Sequence, residues 1–158
     1  MQLIGKGSFS RVYLADENTV KITTIDPVKY CLAEMGMEHR LLPKLWKDKE
    51  FHIFGKKYDK VKSPRRELCK QDYMYYRYLT RTPCIHTYRK IYEEFDKIPF
   101  EELKDAIFEL LDSVCNYIVC NSLSFEISRR NVMRDGDKLI LNDVFFNYEY
   151  IKGRREEI

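Results

Sequence analysis

The stretch that most constrains the fold lies between residues 100 and 119. Leu103, Ile107, Leu110, Leu111, Val114 and Ile118 recur there at steps of three and four, which sets them on one face of a helix. The spacing predicts a helix from about Phe100 to Val119 that crosses the core. A chain of 158 residues has room for one domain, or for two small lobes sharing a cleft, and can bury a core without staples. With 44% apolar and 34% charged residues, it has the balance of a folded chain rather than a disordered one.

Upstream of that helix the periodicity changes. Met1 to Ile4, Arg11 to Ala15 and Thr19 to Ile25 alternate in the manner of strands, separated by a glycine-containing turn and by Asp16-Glu17-Asn18, so three short antiparallel strands are expected. Asp26-Pro27 then offers an N-cap followed by proline at the first helical position, opening a helix expected to end by about Pro43. Phe51 to Phe54 reads as a further strand, and Tyr73 to Leu79 and Thr87 to Phe95 as helices. Ser122 to Arg130 reads as irregular. Val132 and Met133 enter a strand, Asp135-Gly136-Asp137 makes a tight turn, and Leu139 to Leu141 returns as its partner. Strands, then helices, then a late hairpin describe an α+β plan.

The net charge of +3 gives no argument for nucleic acid as a partner. Seven basic residues between Lys56 and Lys70 stand against only Asp59 and Glu67, as a solvated face or as a docking patch for phosphate or an acidic partner. Tyr73, Tyr75, Tyr76 and Tyr78 are amphipathic residues packing a helix on the core, or stacking platforms for single-stranded nucleic acid. The five cysteines form no C-x-x-C pair and are expected as reduced thiols. No signal-peptide pattern opens the sequence and no long apolar run suits a membrane, so a cytoplasmic protein is expected.

Chemistry is concentrated at the two ends. Gly5-Lys6-Gly7-Ser8-Phe9-Ser10-Arg11-Val12 lies between strands as a glycine-rich hairpin. Gly5 and Gly7 let backbone N–H groups approach phosphate oxygens, Phe9 can fold over the turn, and Val12 can pack on a base. Thr19-Val20-Lys21-Ile22 follows as a strand with one lysine among apolar neighbours, a fixed charge for phosphates. Near the other end, Glu126 is followed at five residues by Asn131, then by the hairpin and by Asp143.

These motifs resemble the eukaryotic-type protein kinases, whose N-lobe pattern is G-x-G-x-x-G-x-V followed by V-A-I-K and whose catalytic loop is D-x-x-x-x-N. Ser124-Phe125, Asn131-Val132-Met133, a short hairpin and Asp143 most resemble the small serine/threonine protein kinases of T7-type tailed bacteriophages. The resemblance covers residues 3 to 45 and 100 to 146. It implies a minimal protein-kinase-like bilobal fold, with a small antiparallel-sheet N-lobe over about residues 1–60 and a truncated helical C-lobe over about 61–158. It implies an ATP- and Mg2+- (or Mn2+-) dependent phosphotransferase of phage origin acting on serine or threonine of host proteins. Gly5, Gly7, Ser8, Phe9 and Val12 would cradle the nucleotide, Lys21 anchor its phosphates, and Glu38 hold Lys21, with Glu34 as the rival. Glu126 would position the acceptor hydroxyl, Arg130 neutralise the transferring group, and Asn131 and Asp143 bind metal.

The pattern is not complete. Ser10 stands for the third glycine, Glu126 for the usual loop aspartate, and the glycine after the metal aspartate is absent. These departures support the alternative of a catalytically inactive, pseudokinase-like module that binds and inhibits a host protein. A dimer is compatible with the short C-terminal lobe.

Overall fold

The first 24 residues form three strands, β1 (Gln2–Lys6), β2 (Ser10–Leu14) and β3 (Thr19–Thr24). In this computed structural model, residues 1–7, 9–36, 38–115, 123–129 and 132–147 are described. The glycine hairpin is closed by a hydrogen bond of 2.9 Å from the Gly7 N–H to the Ser10 carbonyl. The second turn is held by Asp16, whose carboxylate accepts from the Asn18 N–H at 2.9 Å, the local bond that makes Asp a turn former.

Helix α1 (Pro27–Met35) begins as expected, with the Asp26 side chain accepting from the Val28 N–H at 3.1 Å and Pro27 at its start. It ends well short of Pro43. Gly36 takes φ of 60° and donates its N–H to the Leu32 carbonyl, a left-handed cap that glycine reaches at no steric cost. Leu41 and Leu42 are buried all the same, from an irregular segment, so their helical spacing is a coincidence of burial. The segment leads into β4 (Leu45–Lys47) and β5 (Ile53–Lys56). The five strands form one antiparallel sheet in the order β1-β2-β3-β5-β4. Ala33 and Leu32 of α1 pack on Ile22, Leu45 and Ile53, which fixes the face of the sheet that the helix covers.

The rest of the chain is mainly helical: α2 (Pro64–Glu67), α3 (Lys70–Arg81), α4 (Tyr88–Phe95) and α5 (Glu101–Cys115). The face of α5 carrying Leu103, Ile107, Leu110, Leu111 and Val114 is buried, as its spacing requires. Against the core lie β7 (Leu123–Phe125), β8 (Met133–Asp135), β9 (Lys138–Ile140) and β10 (Phe145–Asn147), with β6 (Asp59–Lys60) paired to β8. Leu123 to Phe125 is therefore a buried strand and not irregular. It pairs antiparallel with β10, and Phe125 meets Phe95 and Phe145 at ring-centre distances of 4.6 and 5.8 Å. The β8–β9 hairpin turns at Gly136, with φ of 61°.

One buried charge ties the parts together. Asp72 of α3 has no exposed surface. It accepts from the two terminal Arg40 guanidinium nitrogens at 3.0 and 2.8 Å and from the Leu139 N–H at 2.7 Å. Burial alone would push its carboxyl up, but these bonds outweigh it and hold the group below the usual carboxylate range. Cys31, Cys69, Cys84 and Cys115 are free thiols. Among the described residues no helix is long and apolar enough to cross a membrane.

Candidate functional site

The late hairpin delivers Asp143 to the face of α1. Leu141 donates its N–H to the Leu41 carbonyl at 2.6 Å. Asp143 then adopts φ of 54°, a left-handed conformation that aspartate tolerates better than most residues. Its carboxylate forms an ion pair with Lys29. The Lys29 side chain is 6% exposed and that of Asp143 35%, so the lysine is committed to the interior while the carboxylate keeps one side open. The Asn142 side-chain oxygen lies 3.5 Å from the same ammonium. Two oxygens thus already face one cation.

Glu126 arrives by strand pairing. Phe125 is opposite Phe145 in the β7–β10 register, and the Glu126 N–H donates to the Val144 carbonyl at 3.1 Å. The loop acid is therefore held beside the residue that follows Asp143, with its side chain exposed. His86 Nδ1 lies 3.1 Å from Ser124 Oγ, and Cys84 Sγ lies 4.0 Å from Glu126 Oε2. Burial, with the Glu126 charge second, pushes the Cys84 thiol up, the opposite of an activated nucleophile.

The glycine hairpin closes over the same end. The Phe9 carbonyl accepts from the Ile25 N–H at 3.1 Å and from Thr24 Oγ1 at 3.2 Å, and the Phe9 ring sits 5.3 Å from that of Phe146. A Cβ at Gly5 or Gly7 would come no closer than 3.6 or 3.9 Å to its neighbours. Packing inside the chain therefore does not demand glycine at either place.

Lys21 does not join this group. Val12 is opposite Ile22 and Tyr13 is opposite Lys21, and directly paired residues share a face while neighbours along a strand alternate. Val12 and Ile22 therefore lie on the face covered by α1, and Lys21 lies on the other, beside Tyr13 and Phe54. A base packed on Val12 would therefore lie on the opposite face of the sheet from Lys21. Glu38 is exposed beyond the end of α1, and Glu34 pairs with Lys47 at 3.8 Å. Neither glutamate pairs with Lys21, whose side chain makes no hydrogen bond or ion pair among the described residues. The cation that does reach Asp143 is Lys29. Its signal in the sequence was its place on the apolar stripe of α1, three and four residues before Leu32 and Ala33. Ser8, Arg130 and Asn131 lie outside the described residues.

Between α1, α5 and Asp143 there is a cavity of about 10 Å3, enough for one water. Anything larger must approach Asp143 from its open side. The carboxylate and the Asn142 amide oxygen are hard donors of the kind magnesium or manganese takes, and the ammonium held between them shows that the pair accommodates positive charge. A second cluster, Asp48, Glu50 and His52, is accounted for by its turn, where Asp48 accepts from the Glu50 and His52 N–H groups at 2.9 Å.

Comparison with protein-family models, with curated proteins and with solved structures returns no match. The fold is α+β, with a five-stranded antiparallel sheet and helices packed as described.

Proposed function

We propose that the chain is a minimal, bilobal kinase-like phosphotransferase that uses ATP with magnesium or manganese to modify serine or threonine of a partner protein. A phage origin and a host protein as target come with the resemblance. The observation that carries the reading is the convergence of Glu126 and Asp143 at one end of the β7–β10 pair, beside the glycine hairpin whose Phe9 ring packs on Phe146. An exposed carboxylate can position an acceptor hydroxyl and take its proton. A second, partly open carboxylate suits a hard cation. Lys29 replaces Lys21 as the charge for phosphates, because it alone of the two stands at Asp143. Bound metal would supply neutralisation of phosphate charge. Asn131 and Arg130 keep their proposed roles, as metal ligand and as a charge near the transferring group, on the spacing of the loop. The sheet order, with a helix between its third and fourth strands, fits the N-lobe that the resemblance implies.

Transfer of labelled γ-phosphate to the protein itself or to a serine- and threonine-containing substrate mixture tests the reading. Transfer that Asp143→Ala abolishes, with the fold retained, supports it. No transfer, and no effect of Asp143→Ala on nucleotide binding, ends it.

A second reading is favoured by the Lys29–Asp143 ion pair: a catalytically inactive module that binds and inhibits its partner. In that case the pair is a permanent structural contact. A saturable rise in melting temperature with ATP and magnesium, without transfer, selects an inactive nucleotide-binding form.

A further inference from the structure

A concave cleft of about 400 Å3 opens on the helical half of the molecule, away from Lys29 and Asp143. Arg65 of α2, Arg77 and Arg81 of α3, and Arg129 of the loop after Glu126 converge on it, together with Tyr73 and Tyr76. All four arginines are exposed, and none has a carboxylate partner among the described residues. No acidic residue is among the described residues that line the cleft.

Several cations elsewhere in the molecule are paired. Arg134 pairs with Glu67 at 3.2 Å, Lys56 with Asp135 at 2.7 Å, and Arg40 with Asp72 at 2.8 Å. A surface selected only for solubility intersperses both signs. Four guanidinium groups facing one concavity repel one another unless an anion enters, and the planar fork of arginine matches carboxylate and phosphate oxygens two at a time. The tyrosines add preorganisation: their rings stack at 6.4 Å, and the Arg77 guanidinium lies 5.8 Å from the Tyr73 ring.

We propose that this cleft binds an anionic segment of a partner protein, centred on a phosphorylated or carboxylate-bearing side chain. The cleft is the size of a pocket for a few side chains. Nucleic acid fits less well, because a polynucleotide needs a track of cations along its backbone. The basic run from Lys56 to Lys70 does not form one: Lys56 is neutralised by Asp135, and Arg65 is its one contribution to the cleft. Tyr76 and Thr80 of the cleft also border the small apolar cavity under Ile127 and Ser128. An occupant therefore lies beside the loop that carries Glu126, although the binding claim stands without any phosphotransfer.

Fluorescence anisotropy tests it with three probes: a short labelled peptide with one phosphoserine between aspartates, the same peptide with serine and asparagine in their place, and a single-stranded oligonucleotide. The acidic phosphopeptide is expected to bind at least about tenfold more tightly than its neutral counterpart. Arg77→Gln with Arg81→Gln, both on the exposed side of α3, should remove that difference. Arg65→Gln with Arg129→Gln gives an independent second variant should the first lose its cooperative melting. Equal binding of the two peptides, or a preference unchanged in a folded variant, overturns the proposal. Binding of the oligonucleotide alone, lost in the same variants, also overturns it, in favour of nucleic acid.

Discussion

Replacing Asp72 by asparagine probes the contact that joins the segment after α1, helix α3 and the hairpin leading to Asp143. The native carboxylate is fully buried and takes three hydrogen bonds, two from Arg40 and one from Leu139. Asparagine keeps one oxygen for the Leu139 N–H but turns its amide donors toward the guanidinium. Each lost charge-assisted bond is worth about 1.5–3 kcal/mol. The Arg40 side chain is 34% exposed and keeps its ion pair with Glu102, so water and that partner recover part of the loss. The expected cost is about 2–3 kcal/mol, or roughly 4–12 °C in melting temperature for a chain of this size. Asp72→Ala also orphans the buried Leu139 N–H and should cost about 1–3 kcal/mol more. Urea denaturation of the parent and both variants measures this. The pH dependence has a fixed sign: the folded pKa of Asp72 is depressed, so its contribution is present above the unfolded value near about 3.9 and lost as pH falls through the folded one. The gap between parent and Asp72→Asn should therefore be constant near neutrality and shrink below about pH 4. Equal urea midpoints for parent and Asp72→Ala would mean that the buried carboxylate does not hold these parts together.

Gly55→Ala should destabilise the sheet by about 1–3 kcal/mol through overpacking, since its Cβ would meet Leu45 Cδ2 at 2.9 Å and the Lys44 carbonyl at 3.2 Å; chemical denaturation reads this, and an unchanged midpoint would mean that β4 shifts freely. Burial, with the Glu34 charge adding to it, pushes the Cys31 thiol up to about 11, so iodoacetamide at about pH 8 should label Cys31 only on unfolding. Exposed Cys84 should label in the native protein, and mass spectrometry of the alkylated peptides separates the two.

The parts of the fold legible in the sequence were those with strong local chemistry. Asp26-Pro27 fixed the start of α1, Gly136 the late hairpin, and the stripe from Leu103 to Val114 the buried face of α5. The spacing overextends the helix after Pro27, because Leu41 and Leu42 continue it although Gly36 has already ended the helix. The strand Leu123–Phe125 leaves no such signal, because all three residues are buried and it lacks the alternation by which a half-exposed strand is recognised. At the site, the order of Glu126, hairpin and Asp143 could be read, since short pairings bring those residues together. The placement of the lysines could not: the face of β3 that Lys21 occupies is a matter of register with β2, and Lys29 reaches Asp143 across more than a hundred residues of chain.

The proposed metal–nucleotide site is centred on Asp143, with Lys29 rather than Lys21 as its phosphate charge. Calorimetric titration of magnesium–ATP into the parent, Lys29→Met and Lys21→Met tests it most directly. Saturable binding to the parent is expected, with a loss of about tenfold or more in Lys29→Met, equivalent to at least about 1.4 kcal/mol, and no change in Lys21→Met. Absence of saturable heat in the parent, or binding lost with Lys21→Met and kept with Lys29→Met, would contradict it.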